Sequence, residues 1–515
     1  MRKLLWLFWC IAWVSVEGRV ETPVMRPAAV AGSFYPADAK ELAQMVDGFV
    51  AKATPPPVPN LLAIVAPHAG YQFSGHVAGW SYALLKGRHY RRVVVIAPSH
   101  YEAFPFASVF DGASYSTPLG IVPVDQAFAQ KLASASPLLK LSGAGHTPDA
   151  EKREHSVEVQ LPFLQRVLGA FELVPVVMGD QNYATCRALG LALAKLAGPE
   201  TLIVASSDLS HYHSYDEAVR MDHKTLKAIE EWDYLSMSRN FPQRIWEACG
   251  GGPIIAAMIA TERLGANQAI ILKYANSGDV TADRARVVGY GAVALAQGPA
   301  RKTDAVRRLN LSGGEQNELL RLARKSVETA VRERKLYDYA PPASGPLAQE
   351  RGAFVTLTKH GELRGCIGFV APSEALGLTV RDVATLAATR DRRFSPVTVD
   401  ELPELDYEIS VLSPLRRVLD IKQIRTGRDG LVIKQDEVEG LLLPQVAADQ
   451  HWDRLTFLKQ TCRKAGLAPD AWQDSETDIF SFTALVFGGL RPQLLPEPSP
   501  RAPSTTTFSG SRTPG

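Results

Sequence analysis

Cysteine is scarce in this sequence, and so is any excess of one charge. The five cysteines lie at positions 10, 186, 249, 366 and 462, and no Cys-x-x-Cys pair occurs among them. This scatter argues against a disulfide framework and against a zinc knuckle. The formal net charge is only +2. The chain therefore lacks the global charge excess that binds nucleic acid or an acidic membrane, and we expect no nucleic-acid partner.

The N-terminal apolar run, residues 4–16, is too short to span a membrane. It follows Arg2 and Lys3 and precedes small residues, which is the layout of a secretory signal peptide. The alternative is an apolar N-terminal extension that is not cleaved. Residues 1–24 are assigned to one or the other, and the protein is exported if the segment is a functional signal peptide.

The rest of the chain divides by pattern into two domains. Residues 25–298 alternate strands and helices, which predicts an α/β domain with a mainly parallel sheet. Residues 299–311 are polar and basic and predict a linker. Residues 312–491 form a smaller α+β pattern that opens on a capping box followed by a long helix. Residues 492–515 are rich in Pro, Ser and Thr and predict a disordered tail.

Particular elements are predicted within this division. In the first domain the expected helices include residues 75–85, capped by Ser74, and residues 253–264. The expected strands are residues 61–67, 92–99, 172–178, 202–206, 269–274 and 287–296.

Two histidines each follow a short, apolar, β-branched run. Residues 61–67 lead into His68, and residues 92–99 lead into His100. Such runs predict buried parallel strands, and ligands of open α/β sheets bind outside the carboxyl ends of the strands. Imidazoles brought to that edge by neighbouring strands can share a metal ion. A single histidine after a strand is more often an ordinary hydrogen-bonded residue, so the residues alone leave both interpretations open.

Five separated motifs agree with one known family. They are APHAGYQFSG around His68, APSHY around His100, REHSVE at 153–158, SSDLSHY at 206–212 and ACGGGP at 248–253. In this order they resemble the Memo family, and the resemblance covers about residues 27–297. Memo proteins are similar in fold to the class III extradiol dioxygenases, which use a non-haem iron.

The resemblance implies a site. His68, His100 and Cys249 would bind the metal, while Asp208 and His211 would face the same cleft. Cys249 lies at the Gly-rich start of a predicted helix, where the positive end of the helix would favour its thiolate. Dioxygenases have a carboxylate at this third position, so a softer thiolate counts against ring cleavage. The expected cofactor is one transition metal ion, iron or copper, with zinc possible.

Two neighbouring groups each fit more than one role. His211 is the candidate proton donor or acceptor, with Asp208 setting its orientation or only lining the cleft. His155, together with Glu154 and Glu158, would orient a metal ligand. These three residues equally fit an exposed helix turn with pairing between positions i and i+4.

The second domain carries its own motifs. LRGCIG at 363–368 is the most distinctive, and with RGAFVTL, DRRFSP, LPQV and FLKQTCRKAGL it resembles the AMMECR-type domain over about residues 316–490. In one interpretation Arg364 holds a carboxylate or phosphate, while Gly365 and Gly368 let the backbone beside Cys366 approach a ligand. In the other, the motif is a tight structural hairpin with a buried cysteine.

These two domains occur together in the set called AmmeMemoRadiSam, so the resemblance implies a radical S-adenosylmethionine protein as partner. We expect a metal-binding α/β domain with redox or dioxygenase-like chemistry and a small molecule or peptide in its cleft. The competing hypothesis is a non-enzymatic module that binds peptide, protein or metal in a degenerate dioxygenase cleft. Thiolate ligation by Cys249 is safest where thiols stay reduced, which favours a cytoplasmic location.

Overall fold

The computed structural model describes residues 24–149, 151, 153–298, 310–370, 374–435 and 438–488. These residues fall into two compact units that divide between residues 303 and 304. The predicted N-terminal segment, most of the predicted linker and the predicted tail lie outside the described residues.

The first unit is built on a nine-stranded sheet, with a second sheet of three short strands beside it. In the described part of this unit the strands are β1 Met25–Arg26, β2 Leu61–Ala66, β3 Arg92–Pro98, β4 Ala107–Val109, β5 Ser114–Thr117, β6 Gly120–Pro123, β7 Leu139–Leu141, β8 Glu172–Met178, β9 Thr201–Ser206, β10 His211–His213, β11 Gln268–Asn276 and β12 Val287–Ala296. The helices are α1 Ala39–Lys52, α2 Tyr71–Ala83, α3 Gln126–Ala133, α4 Leu161–Leu168, α5 Tyr183–Leu196, α6 Tyr215–Glu231, α7 Tyr234–Asn240, α8 Gly251–Arg263 and α9 Gly278–Thr281.

The large sheet is mixed: its four central strands run parallel, and β7 pairs parallel with β4 at one edge. Its order is β10-β12-β2-β9-β3-β8-β4-β7, and β11 pairs with β12. Strands β2, β9, β3 and β8 run parallel, whereas β12 and β4 join them antiparallel. The prediction of a mainly parallel sheet was therefore wrong at the flanks. Strands β11 and β12 are joined by only about ten residues, and a parallel crossover needs a dozen or more.

Helices cover both faces of the parallel centre, which is why its strands are apolar at nearly every position. Alternate residues of β3 such as Val93 and Val95 share one core with side chains of α1, α2 and α4. Helix α8 packs on β9 and β3, and α5 packs on α8. The resulting three-layer α/β arrangement places the carboxyl ends of β2, β9 and β3 side by side.

Helix α2 begins earlier than predicted. Its N-cap is Gly70 and its first residue is Tyr71. Ser74 does not cap the helix, because its hydroxyl donates to the Ala69 carbonyl from within the first turn, at 2.8 Å. The early start joins α2 almost directly to the loop that carries His68.

The second unit is an α+β arrangement around a seven-stranded sheet. Its described strands are β13 Ala353–Lys359, β14 Glu362–Phe369, β15 Leu405–Leu412, β16 Arg416–Arg417, β17 Asp429–Gln435, β18 Val438–Leu442 and β19 Asp478–Gly488. Its helices are α10 Gly313–Glu333, α11 Leu376–Thr389, α12 Pro444–Asp449 and α13 Arg454–Lys464. The predicted capping box is confirmed, because Ser312 and Glu315 cap α10 reciprocally.

One long strand joins two separate cores in this unit. The carboxyl-terminal part of β19 pairs with β15, and its amino-terminal part pairs with β17 and β16. One core lies among α10, α11, β13 and β15, and the other lies between α13 and β17. In both units, the described helices are too short or too polar to cross a bilayer.

Candidate functional site

The predicted site residues meet at the carboxyl ends of three strands. His68 follows β2, His100 follows β3, and both Asp208 and His211 follow β9. Cys249 lies just before α8. The two histidine-bearing strands were predicted to be neighbours, but β9 lies between them. The two imidazoles converge over the end of β9, with their ring centroids 5.1 Å apart and their planes nearly perpendicular.

The donor atoms of this group lie close together. One donor atom each from His68, His100 and Cys249 falls within 4.8 Å of the others, and His68 Nε2 is 3.1 Å from Cys249 Sγ. One donor atom each from Asp208, His211 and Cys249 also falls within 4.8 Å. The structure thus brings together all five residues that the resemblance implied. A thiol and two imidazoles at this spacing are a donor set that suits a soft or borderline transition metal.

His68 is fully buried and tightly held. Its backbone N–H donates to Asp208 Oδ1 at 2.9 Å, and its Nδ1 lies 2.8 Å from Ser206 Oγ. Burial lowers the pKa of His68 well below the ordinary value, and the nearby imidazoles of His100 and His155 lower it further. The ring is therefore neutral, which is the form that binds a metal.

His100 is held by the carboxylate of Glu154. Its backbone N–H donates to Glu154 Oε2 at 2.6 Å, and its Nδ1 lies 3.1 Å from Oε1. Burial would raise the pKa of Glu154, but hydrogen bonds from His100 outweigh it and hold that pKa at about 2. Glu154 is thus an ionised residue that orients a candidate ligand, as carboxylates commonly do behind metal-binding histidines. For Glu154 the exposed-turn interpretation was wrong.

The other two residues of that motif have different roles. His155 stacks on His100, with centroids 4.8 Å apart and 15° between the planes, so it supports the ring of His100. Glu158 does not reach the histidines. Its carboxylate instead accepts from Arg26 Nη1 at 2.5 Å and from the Tyr35 hydroxyl at 2.5 Å. Both roles predicted for Glu158 are wrong. It neither orients a metal ligand nor lies on an exposed turn, because it forms a buried ion pair with Arg26 near the start of the unit.

Cys249 occupies a crowded turn. A Cβ added to Gly250 would lie 2.2 Å from the backbone oxygen of Ser206, so only glycine lets this turn pass the end of β9. The Asp208 backbone N–H lies 3.3 Å from Cys249 Sγ. Burial raises the pKa of the Cys249 thiol, and the Asp208 carboxylate raises it further. Backbone hydrogen bonds from Asp208 and from Gly250, the N-cap of α8, lower this pKa, but by less than burial raises it.

His211 is oriented by the backbone and not by Asp208. Its Nδ1 lies 2.8 Å from the Leu209 carbonyl, and its backbone N–H donates to Glu247 Oε2 at 3.2 Å. Asp208 Oδ1 instead accepts the backbone N–H of His68. Of the two roles considered for Asp208, lining the cleft is the one that this geometry fits. The Nδ1 of His211 must donate to a carbonyl, which leaves its Nε2 as a proton acceptor.

Sequence reasoning missed several residues that hold this site. Ser206 is the last residue of a strand whose end was already implicated, so its position offered a signal. Gln160 and Arg26 gave no local signal in the sequence, because each contacts the site region from a distant part of the chain. Arg26 and Glu158, for example, are 132 positions apart. Glu247 directly precedes the Cys249 motif and contacts both His211 and His213, and this role was also missed.

In the second unit, LRGCIG forms most of β14 and is a hairpin strand. Strands β13 and β14 pair antiparallel across His360 and Gly361, which have φ values of 52° and 83°. Two positive φ values in a two-residue loop give the turn type whose twist matches the strands. A Cβ on Gly365 would lie 2.3 Å from the Ala387 carbonyl oxygen. The close approach that Gly365 permits is therefore to helix α11.

Arg364 already has an internal carboxylate partner. Its Nε and Nη2 donate to the two oxygens of Glu401 at 2.9 Å and 3.0 Å, and its Nη1 donates to the Ser395 carbonyl at 2.9 Å. Cys366 is only half-buried, and the Thr356 hydroxyl donates to its Sγ at 3.2 Å. The structural-hairpin interpretation is the one that fits, with the correction that the cysteine is not fully buried.

Side chains also bind the outward-facing backbone of β14. The Cys366 N–H donates to Asp391 Oδ2 at 2.8 Å, and Arg393 Nη2 donates to the Cys366 carbonyl at 3.1 Å. Asp391 and Arg393 are themselves paired at 2.7 Å. The short segment after α11 is thereby attached to the middle of the motif.

Comparison with known proteins agrees with both sets of motifs. The family model described as Memo-like protein matches residues 26–294, which is just over half of the chain. The chain belongs to the Memo family. In this Memo-family chain a second model, AMMECR1, matches residues 320–487. The predicted fold class, an α/β Memo-like domain followed by an AMMECR-type α+β domain, is thereby confirmed.

Part of this chain matches almost the full length of several other proteins. A MEMO1 family protein of Methanopyrus kandleri is 37% identical over 286 residues, which are 53% of this chain and 99% of that protein. One of Methanobrevibacter smithii is 36% identical over 282 residues, covering 52% of this chain and 98% of that protein. The crystal structure of an uncharacterized protein from Pyrococcus horikoshii is 38% identical, covers 34% of this chain and 91% of its own, and has a TM-score of 0.32.

Proposed function

We propose that the Memo-like unit binds one transition metal ion through His68, His100 and Cys249. The observation that carries the proposal is the convergence of their donor atoms within 4.8 Å, with both imidazoles held at Nδ1 by neighbouring side chains. Held in this way, each ring presents Nε2 as its free donor. A thiolate with two imidazoles fits copper or iron, and zinc also matches the set.

The chemistry proposed at this site is redox or dioxygenase-like. A bound copper or iron ion with an open position would supply electron transfer and activation of a small molecule. The candidate site is open to solvent at His100, whose side chain is 27% exposed. Tyr212, which directly follows His211, is 62% exposed. His211 would accept a proton at Nε2, and Asp208 would add a carboxylate to the same cleft. This openness favours an enzyme over a sealed, non-enzymatic binding module.

A radical S-adenosylmethionine protein is the proposed partner, and the cytoplasm is the proposed location. The support is the pairing of a Memo-like unit with an AMMECR1 unit in one chain. Cys249 adds to it, because a cysteine that binds a metal as thiolate is stable where thiols are kept reduced.

The test is metal analysis of the full chain purified without oxygen. We expect close to one equivalent of iron, copper or zinc in the wild type and a near-total loss in His68→Ala and Cys249→Ser. His223→Ala is the control, because this helix histidine is outside the donor group: its ring bonds to the Val219 carbonyl in its own turn, at 2.8 Å, and packs against Tyr274. Full metal content in both site variants, with unchanged melting temperatures, would contradict the assignment.

A second measurement separates an enzyme from a binder. His211→Asn should keep the metal but lose turnover of any substrate found, because it removes the proton acceptor at Nε2. A loaded protein whose iron or copper cannot be reduced and re-oxidised would instead support the binding-module alternative.

A further inference from the structure

A fully buried chain of side chains runs behind His68. The Tyr82 hydroxyl donates to Gln160 Oε1 at 2.5 Å, Gln160 Nε2 donates to Ser206 Oγ at 2.8 Å, and Ser206 Oγ lies 2.8 Å from His68 Nδ1. Each of these four residues is at most 1% exposed. Water therefore does not compete for these hydrogen bonds, and their directions are set by the protein alone.

The direction of each hydrogen bond follows from two backbone carbonyls. The Ser206 hydroxyl lies 2.6 Å from the Ser156 carbonyl, which can only accept, so the single Ser206 proton is committed there. The Gln160 amide nitrogen lies 3.1 Å from the Pro67 carbonyl, which fixes the orientation of the amide. Gln160 must therefore donate to Ser206 Oγ. That oxygen has only an acceptor position left for His68, so His68 Nδ1 carries the proton.

We propose that Ser206, backed by Gln160, is a positioning residue that locks His68 in the Nδ1–H tautomer. The Nε2 lone pair is then directed toward Cys249 Sγ, 3.1 Å away. The consequence for metal binding rests on the proposed function, whereas the tautomer itself does not. A donor set of two imidazoles requires both Nε2 atoms to be free of protons at once, and the opposite tautomer would place a proton where the ion binds.

The two histidines are held by chemically different partners. At Nδ1, His100 faces the ionised carboxylate of Glu154, whereas His68 faces a neutral hydroxyl; the Asp208 carboxylate lies 3.9 Å from His68 Nε2. A hydroxyl whose proton is committed elsewhere selects the tautomer without adding charge to a buried site. This arrangement suits His68, which is almost completely buried, while His100 lies at the open side.

The decisive experiment reads the tautomer directly in the metal-free full chain. Selective 15N-histidine labelling with long-range 15N–1H correlation distinguishes Nδ1–H from Nε2–H rings, and the His68 signals are identified by their loss in His68→Ala. We expect Nδ1–H in the wild type and a mixture or reversal in Ser206→Ala. Nε2–H in the wild type, or an unchanged tautomer in Ser206→Ala, would overturn the proposal.

Ser81→Ala is the matched control. Ser81 is as buried as Ser206, and its hydroxyl likewise donates to a backbone carbonyl, that of Val65, at 2.7 Å. Both variants lose one buried hydroxyl, so a merely structural effect would lower their melting temperatures alike. Only Ser206→Ala is expected to change the His68 tautomer.

Zinc affinity gives the functional readout, measured by competition with a chromophoric chelator. Losing a residue that orients a metal ligand costs about 10–100-fold in affinity, so we expect that loss in Ser206→Ala and less than about twofold in Ser81→Ala. Ser206→Thr keeps a hydroxyl and should recover most of the affinity. Equal zinc affinity in Ser206→Ala and Ser81→Ala would contradict the positioning role. A wild type that binds none of zinc, iron and copper would refute the proposed metal site and leave the tautomer result to stand alone.

Discussion

Replacing Arg26 by methionine should destabilise the Memo-like unit more than any comparable surface change. The guanidinium of Arg26 is buried and pairs with Glu158 at 2.5 Å, with side-chain exposures of 2% and 0%. It also donates to the backbone carbonyls of His146 at 2.7 Å and of Glu154. Methionine keeps the apolar bulk of the side chain but leaves the Glu158 carboxylate buried without its cation.

The expected magnitude follows from that burial. Removing one partner of a buried ion pair costs about 3–5 kcal/mol, because the remaining charge stays desolvated. At about 2 °C per kcal/mol for a unit of this size, the transition should fall by about 6–10 °C. Arg91→Met is the matched control, since the Arg91–Glu172 pair at 3.2 Å has side-chain exposures of 67% and 38%. An exposed pair is worth less than about 1 kcal/mol, which corresponds to at most about 2 °C.

Thermal proteolysis read by mass spectrometry suits this test, because peptides from each unit report its unfolding separately. Arg26→Lys keeps the charge but loses the forked geometry, so it should fall between the wild type and Arg26→Met. If Arg26→Met and Arg91→Met shift the transition equally, the argument from burial is refuted. A large shift confined to the second unit would be equally damaging.

The pKa of Glu401 is lowered from 4.5 to about 2, first by the hydrogen bond from Arg364; the stability this adds is complete above pH 4.5 and is lost as the pH falls toward 2. The difference in unfolding free energy between wild type and Glu401→Gln should therefore shrink across that window in urea titrations, and a constant difference would count against the pairing. Gly361→Ala should lower the free energy of unfolding by about 1–2 kcal/mol, because Gly361 has a φ of 83°. Gly48→Ala should instead stabilise helix α1 by about 0.5–1 kcal/mol, because its added Cβ meets nothing within 4 Å. Equal effects of the two substitutions would refute the argument from backbone conformation. N-terminal sequencing of chain from fractionated cells should find an intact start in the cytosol, and a chain that begins near Arg19 outside the cytosol would overturn both the location and the partner.

The metal-site candidates could be predicted because each lies beside a local sequence signal. His68 and His100 follow apolar strands, and Cys249 opens a Gly-rich helix start. The sheet order was not predictable in the same way. That β9 separates the two histidine-bearing strands depends on packing across the whole unit, which leaves no periodic pattern in the chain.

Residues that hold the site from a distance were also beyond local reasoning. Gln160 reaches Ser206 from 46 positions away, and Arg26 reaches Glu158 from 132 positions away. In the sequence, these polar residues look like ordinary surface residues of helices or loops, and only the fold buries them. Burial then decides their roles, because a buried polar group must find a fixed partner. This is why Glu158, similar in sequence context to Glu154, ended with Arg26 instead.

The bonds from Asp391 and Arg393 to the Cys366 backbone have a consequence for the behaviour of whole molecules in solution. Among the described residues β14 is the outermost strand of its sheet, so its free N–H and C=O groups would otherwise offer a template on which another chain could form a strand. The two side chains occupy those groups at the centre of the motif. We therefore expect the segment to protect the protein from intermolecular sheet growth during storage or heating. Asp391→Ala should increase light scattering on mild heating before any loss of helical signal, and scattering that rises only after unfolding would show that this protection is absent.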